Sequence, residues 1–306
     1  MTTLLITGAS GFLGAHVVAG AIARGHAARA AVRASSDQRR LDRLAMGTDI
    51  VDLDLADRDP VALMSALTGV DAVIHCAAYG VDYRQSDFET ALALNVAASV
   101  RLAEAATMVG CRFIHVGTSY EYGTEEGTLT EDRRLAPTGI YGVTKAAASL
   151  ALQDLAHRTG TPIAIVRPFS MYGPLEGDHK FVPMVMSASR EGRTVELTLG
   201  EQKRDYLYVG DVVKACLDLV VTDPFPSGEV FNICSGKGIG LRALAEAAVM
   251  AAGGDMAVLR WGAKPYRPAE SMNVVGDPAK ITAAIGWHAT TPLADGMAYT
   301  AAAGSL

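Results

Sequence analysis

The sequence predicts an α/β protein: a doubly wound parallel sheet with helices on both faces, followed by a small mixed α/β C-terminal lobe. Three observations carry this expectation. Over the first two-thirds of the 306 residues, short β-rich apolar runs alternate with longer helical patterns, the order from which parallel sheets are built. The apolar runs are nearly continuous, as strands buried on both faces require. A glycine-rich turn from Thr7 to Gly14 stands between the first run and the first helical pattern.

The predicted strands are 4–7, 28–33, 50–53, 72–76, 113–117 and 163–167, with helical patterns at 12–24, 88–109 and 141–158 between them. After Pro168, turns containing proline and glycine separate shorter pieces, among them helical patterns at 211–221 and 241–252. One domain over 1–168 and a lobe over 169–306, with interleaved segments, is the expected division. The alanine-rich end, 301–306, is expected to fray.

Half of the residues are hydrophobic and 20% are charged, which suits a sizeable core. A formal net charge of -6 argues against a surface built for polyanions, so no nucleic-acid partner is expected. No apolar run approaches the roughly 18 residues of a membrane span, and the N-terminal residues lack a signal-peptide layout. Cys76, Cys111, Cys216 and Cys234 each lie in an apolar run without metal-ligand spacing. Free thiols, no metal site and a cytoplasmic location are therefore expected.

Within the turn, Gly8, Gly11 and Gly14 follow the spacing GxxGxxG, and Phe12 and Leu13 open the helix. Such a turn allows close backbone approach to a pyrophosphate, beneath the positive end of the helix dipole. This makes 1–168 a Rossmann-type dinucleotide-binding domain. An acidic residue ending the second strand would bind a ribose 2′-hydroxyl and favour NAD(H). The chain instead reads Ala30-Ala31-Val32-Arg33-Ala34-Ser35-Ser36, with no carboxylate before Asp37. Arg33 can stack on adenine and pair with a 2′-phosphate beside the Ser35 hydroxyl, so NADP(H) is favoured over NAD(H). The alternative is an arginine that is merely solvated at a strand end. Asp54 and Leu55 are expected at the adenine edge, and Cys76, Ala77 and Ala78 where backbone passes the cofactor. His75, inside a buried run, reads as packing.

Tyr141 and Lys145 stand at i and i+4, on one face of a helix. A nearby ammonium stabilises a phenolate, so a lowered tyrosine pKa and proton exchange near neutrality are expected. At the end of the fifth strand, Gly117-Thr118-Ser119-Tyr120-Glu121-Tyr122-Gly123 supplies a hydroxyl for an oxygen that changes charge.

Together, these motifs resemble the extended short-chain dehydrogenase/reductase family, the NAD-dependent epimerases and dehydratases. The resemblance continues through Asn95, Arg167-Pro168-Phe169-Ser170-Met171-Tyr172-Gly173-Pro174, Arg204-Asp205-Tyr206, Arg267-Pro268 and Ile285-Gly286-Trp287. It implies that Thr118, Tyr141 and Lys145 are the catalytic trio, with Tyr141, Lys145 and Pro168 also bordering the cofactor. It further implies a nucleotide-diphosphate sugar as substrate and makes the C-terminal lobe its binding lobe. Arg204 and Arg267 would hold the diphosphate. Tyr79, Ser119, Tyr120 and Ser170 would line the sugar, with the loop 79–85 closing over it.

Two departures bear on the reaction. Ser170 stands where many relatives have asparagine. The family's 4,6-dehydratases carry glutamate two positions after the threonine, where this chain has Tyr120; Glu121 is one residue off. The segment Gly-Thr-Ser-Tyr-Glu-Tyr-Gly looks instead like that of nucleotide-sugar 4-ketoreductases. The expected activity is NADPH-dependent reduction of a nucleotide-linked 4-keto-6-deoxyhexose in deoxysugar biosynthesis. An epimerase with tightly bound NAD(P), a 4,6-dehydratase and a non-catalytic NADP sensor are the alternatives. The fold resembled also implies a homodimer through helices 88–109 and 141–158, whose Ala91, Ala93, Ala97, Ala98, Ala146, Ala147, Ala148 and Ala151 exceed what one buried face needs.

Overall fold

The computed structural model describes residues 1–82, 84–268, 270–304 and 306. Its strands are β1 (Thr3–Thr7), β2 (Ala27–Val32), β3 (Asp49–Asp52), β4 (Ala72–His75), β5 (Arg112–Val116), β6 (Gly127–Leu129), β7 (Ile163–Pro168), β8 (Ser170–Tyr172), β9 (Val195–Glu196), β10 (Lys203–Tyr208), β11 (Val230–Ile233), β12 (Gly238–Gly240), β13 (Leu259–Arg260) and β14 (Asn273–Gly276). Seven of them form one parallel sheet in the order β11-β7-β5-β4-β1-β2-β3. This is the doubly wound α/β sheet expected from the apolar runs. Successive residues feed opposite faces: Leu4 and Ile6 join one core cluster, Leu5 the other. The chain reverses its direction of travel between β1 and β4, which opens a crevice at their carboxyl ends, where such sheets hold ligands.

The small mixed sheet runs β12-β10-β14-β6, with β8 also on β10. It packs with helices Phe181–Glu191 and Leu241–Ala252 around a third core. The units interleave, since β11 lies in the large sheet and β6 in the small one. Helix Val209–Val221 also returns to the large sheet: a Cβ on Gly20 of helix Phe12–Ala23 would stand 2.5 Å from Val213, so Gly20 permits that contact.

Buried carboxylates hold the lobe together. Asp205 accepts from the amides of Ser235, Gly236 and Gly276. Asp211 accepts from the amides of Thr290 and Thr291, while its carbonyl accepts from the buried Trp287 indole. Trp287 of the C-terminal motif is thus a structural anchor.

Two expectations are corrected. The pattern at 88–109 is not one α-helix; a π-helical turn, Leu92–Ala97, separates Phe88–Ala91 from Ala98–Met108. The chain end is ordered through helix Leu293–Ala303, where the Ala301 carbonyl accepts from Arg190 at 2.6 Å. Among the described residues, no helix is long and apolar enough to cross a membrane.

Candidate active site

The glycine turn sits at the crevice. Gly8 has φ 64°, and a Cβ there would stand 2.6 Å from the Ala77 amide nitrogen, so only glycine lets the backbone after β4 pass this close to the turn. A Cβ on Gly14 would meet the Gly8 carbonyl at 2.2 Å. Helix Phe12–Ala23 has Gly11 as N-cap, with no side-chain cap and no acidic residue in its first turn. Its first N–H groups and the positive end of its dipole are thus left to an anion, and these residues fit a dinucleotide's pyrophosphate.

At the end of β2 the structure adds a residue that linear reading missed. Asp52 of β3 accepts from the Ala34 amide at 3.1 Å, which puts a carboxylate beside exposed Arg33. Parallel register puts it there, with Val32 opposite Asp52. Asp37 is engaged by Arg39, whose guanidinium pulls its carboxyl down to about 2. Ser35 and Asp54 are exposed, and Leu55 is half-buried against the core.

Tyr141 and Lys145 lie on helix Gly139–Thr159, facing Thr118 just beyond β5. Burial raises the Tyr141 phenol well above its ordinary pKa, with a hydrogen bond to Thr118 opposing. Burial thus outweighs the lowering expected from a neighbouring ammonium, and Lys145 itself is engaged by His115, its Nζ lying 3.1 Å from His115 Nε2. An ammonium can only donate, so Nε2 accepts and the His115 proton sits on Nδ1. Burial also lowers the ammonium to about 8, with Glu121 opposing.

His75 is a packing residue with a defined tautomer. Ser99 donates its hydroxyl proton to the Asn95 carbonyl and therefore accepts from His75 Nε2, leaving Nδ1 to accept from Thr7. Asn95, on the π turn, binds the backbone N–H and carbonyl of Tyr79 and the Thr144 hydroxyl, all at 2.8–2.9 Å. It stitches the loop after β4 to the helix carrying Tyr141, a placement in keeping with the functional sites where π turns collect.

Glu121 is not aimed at a substrate. One oxygen accepts from the Thr118 amide at 2.9 Å and the other from Arg167 at 2.7 Å, both side chains being buried. Arg167 also donates to Tyr122, which donates to Asn232.

Of the residues expected to line a sugar, Tyr120 is 65% exposed and meets the Tyr141 ring edge-on at 6.1 Å. Ser170 of β8 stands opposite Tyr206 of β10 in the parallel register. Ser119 is half-buried. Arg204 is bound to Glu270 at 2.8 Å, a partner that the motif did not reveal. Arg267 is exposed, and its carbonyl accepts from the Glu270 amide. Of the loop 79–85, Tyr83 lies outside the described residues. Glu176 is a further residue that linear reading missed: its Oε2 is buried without a partner, and burial lifts its carboxyl to about 8.

Residues 4–234 match the NAD dependent epimerase/dehydratase family. The chain belongs to that family. It is an enzyme of the extended short-chain dehydrogenase/reductase type, whose cofactor is a nicotinamide dinucleotide. It is 31% identical to a dTDP-glucose 4,6-dehydratase of Streptomyces griseus, over 99% of this chain and 94% of that one. Among solved structures it resembles the UDP-glucose 4-epimerase of Thermotoga maritima with UDP-glucose, at TM-score 0.86 and 25% identity, over 99% and 98% of the two chains. It also resembles MoeE5 in complex with UDP-glucuronic acid and NAD, at TM-score 0.84 and 27% identity, over 98% of each.

Proposed function

We propose that this family member reduces a nucleotide-linked 4-keto-6-deoxyhexose with NADPH. The observation that carries the reading is the fate of Glu121. Eliminating water from a sugar needs an acid/base two positions after Thr118, where Tyr120 stands, and Glu121 is held by Arg167 and the Thr118 amide. Ketone reduction needs less: a polarised carbonyl, a proton donor and a hydride. When bound, the dinucleotide supplies the hydride. Thr118 donates to the carbonyl oxygen, and Tyr141, which burial keeps protonated, gives the proton. Lys145, which contacts His115 here, would hold the nicotinamide ribose. Gly8, Gly11, Phe12, Leu13 and Gly14 hold the pyrophosphate; Tyr79, Ser119, Tyr120 and Ser170 line the sugar.

Arg204 and Arg267 take the diphosphate, with Arg204 exchanging Glu270 for it. Four unpaired thiols, three of them buried, suit a cytoplasmic setting.

A second reading, an epimerase that retains its cofactor, has specific support. It uses the same trio, a UDP-glucose 4-epimerase is among the similar structures, and the Asp52 carboxylate near Arg33 favours a ribose hydroxyl over a phosphate. Separate titrations of NADPH and NADH test the cofactor. Arg33→Ala is expected to weaken NADPH binding about five- to a hundred-fold while sparing NADH. Equal losses would show that Arg33 does not read the 2′-phosphate.

The same reading includes a homodimer. Ala91, Ala98, Ala146 and Ala148 are buried within the chain and do not serve an interface, but Phe88, Leu92, Val143 and Leu150 expose an apolar stripe on the two helices. Sedimentation at micromolar concentration should give a dimer that Leu150→Glu converts to monomer. A monomeric parent protein would contradict this.

A further inference from the structure

Arg40 belongs to helix Arg39–Ala45 and to none of the motifs above, yet its guanidinium bridges two distant segments. Its Nε donates to the Leu175 carbonyl and its Nη1 to the Ser10 carbonyl, each at 2.9 Å. Ser10 lies in the glycine turn. Leu175 follows Tyr172-Gly173-Pro174 and, with φ 59°, is the one non-glycine residue at positive φ among the described residues. A side chain disfavours that conformation, and strain of this kind collects at ligand clamps.

The segment lies directly on the turn, since a Cβ on Gly173 would be 3.5 Å from the Phe12 ring. Its other end is tied across the crevice, where Lys180 Nζ donates to the Val81 carbonyl at 3.2 Å. Between the ties sits Glu176, whose unpartnered Oε2 a ligand hydroxyl can satisfy.

We propose that Arg40 is a cofactor-retaining residue, which closes the Leu175 segment over the glycine turn so that the dinucleotide leaves only when these bonds break. The inference rests on the glycine turn being the dinucleotide site. A guanidinium spans two carbonyls at once, whereas an ammonium offers a point charge. Neither carbonyl senses a 2′-phosphate, so NADH and NADPH are retained alike.

Release of NADH and NADPH, followed by nicotinamide fluorescence in stopped flow, tests this. Arg40→Ala should speed release of both about ten- to a hundred-fold with little change in association, and Arg40→Lys should fall between. Unchanged release with only a lower Tm overturns the proposal, as does a defect confined to NADPH. If the parent binds neither dinucleotide, the assignment of the glycine turn fails and the proposal with it.

Discussion

Tyr141→Phe is expected to bind NADPH and sugar nucleotide as the parent does, and to turn over about 10²–10⁴-fold more slowly. The ring and its packing remain; the proton is lost. Burial holds the phenol well above its ordinary pKa, so the parent enters each cycle with that proton in place. Lys145→Met should differ in kind, raising KM for the cofactor and lowering kcat together, because Lys145 is assigned the ribose as well as the charge near the phenol. Single-turnover and steady-state measurements separate the two patterns. Near-normal turnover by Tyr141→Phe would send the search to the exposed phenol of Tyr120, since Glu121 is committed.

Glu121→Ala should destabilise the fold by about 3–5 kcal/mol, as removal of one partner from a buried ion pair does. Arg167 would keep its buried charge and lose the carboxylate at 2.7 Å, and the Thr118 amide would lose its acceptor. The double variant Glu121→Met with Arg167→Met should recover part of the loss, because no charge is then stranded. Urea midpoints of the three proteins check this. A loss below about 1 kcal/mol for Glu121→Ala would mean that water or another group satisfies Arg167.

The parts of the site visible in the sequence are those made by neighbours in the chain. The glycine turn, the Tyr141–Lys145 pair and the Thr118 strand end each occupy a few consecutive residues, and local spacing defines them. Contacts between distant segments left no such trace. Asp52 reaches Ala34 only through the register of two parallel strands, Glu121 meets Arg167 across β5 and β7, and Arg204 finds Glu270 far along the chain. Helical spacing pairs Tyr141 with Lys145 but reveals neither the burial that raises the phenol nor the contact of Lys145 with His115 of β5. Six of the seven large-sheet strands are legible in the sequence, the inner ones as unbroken apolar runs, whereas the edge strand β3 is largely exposed and the buried β11, far along the chain, is not singled out.

Net reduction is tested by incubating the purified protein with NADPH and nucleotide-linked 4-keto-6-deoxyhexoses. NADPH absorbance and the sugar product are followed together. A reductase oxidises one NADPH for each ketone consumed and gives a product bearing a hydroxyl at C4. Interconversion of 4-hydroxy sugar nucleotides without net NADPH consumption, with the ketones left untouched, would contradict it and establish the epimerase.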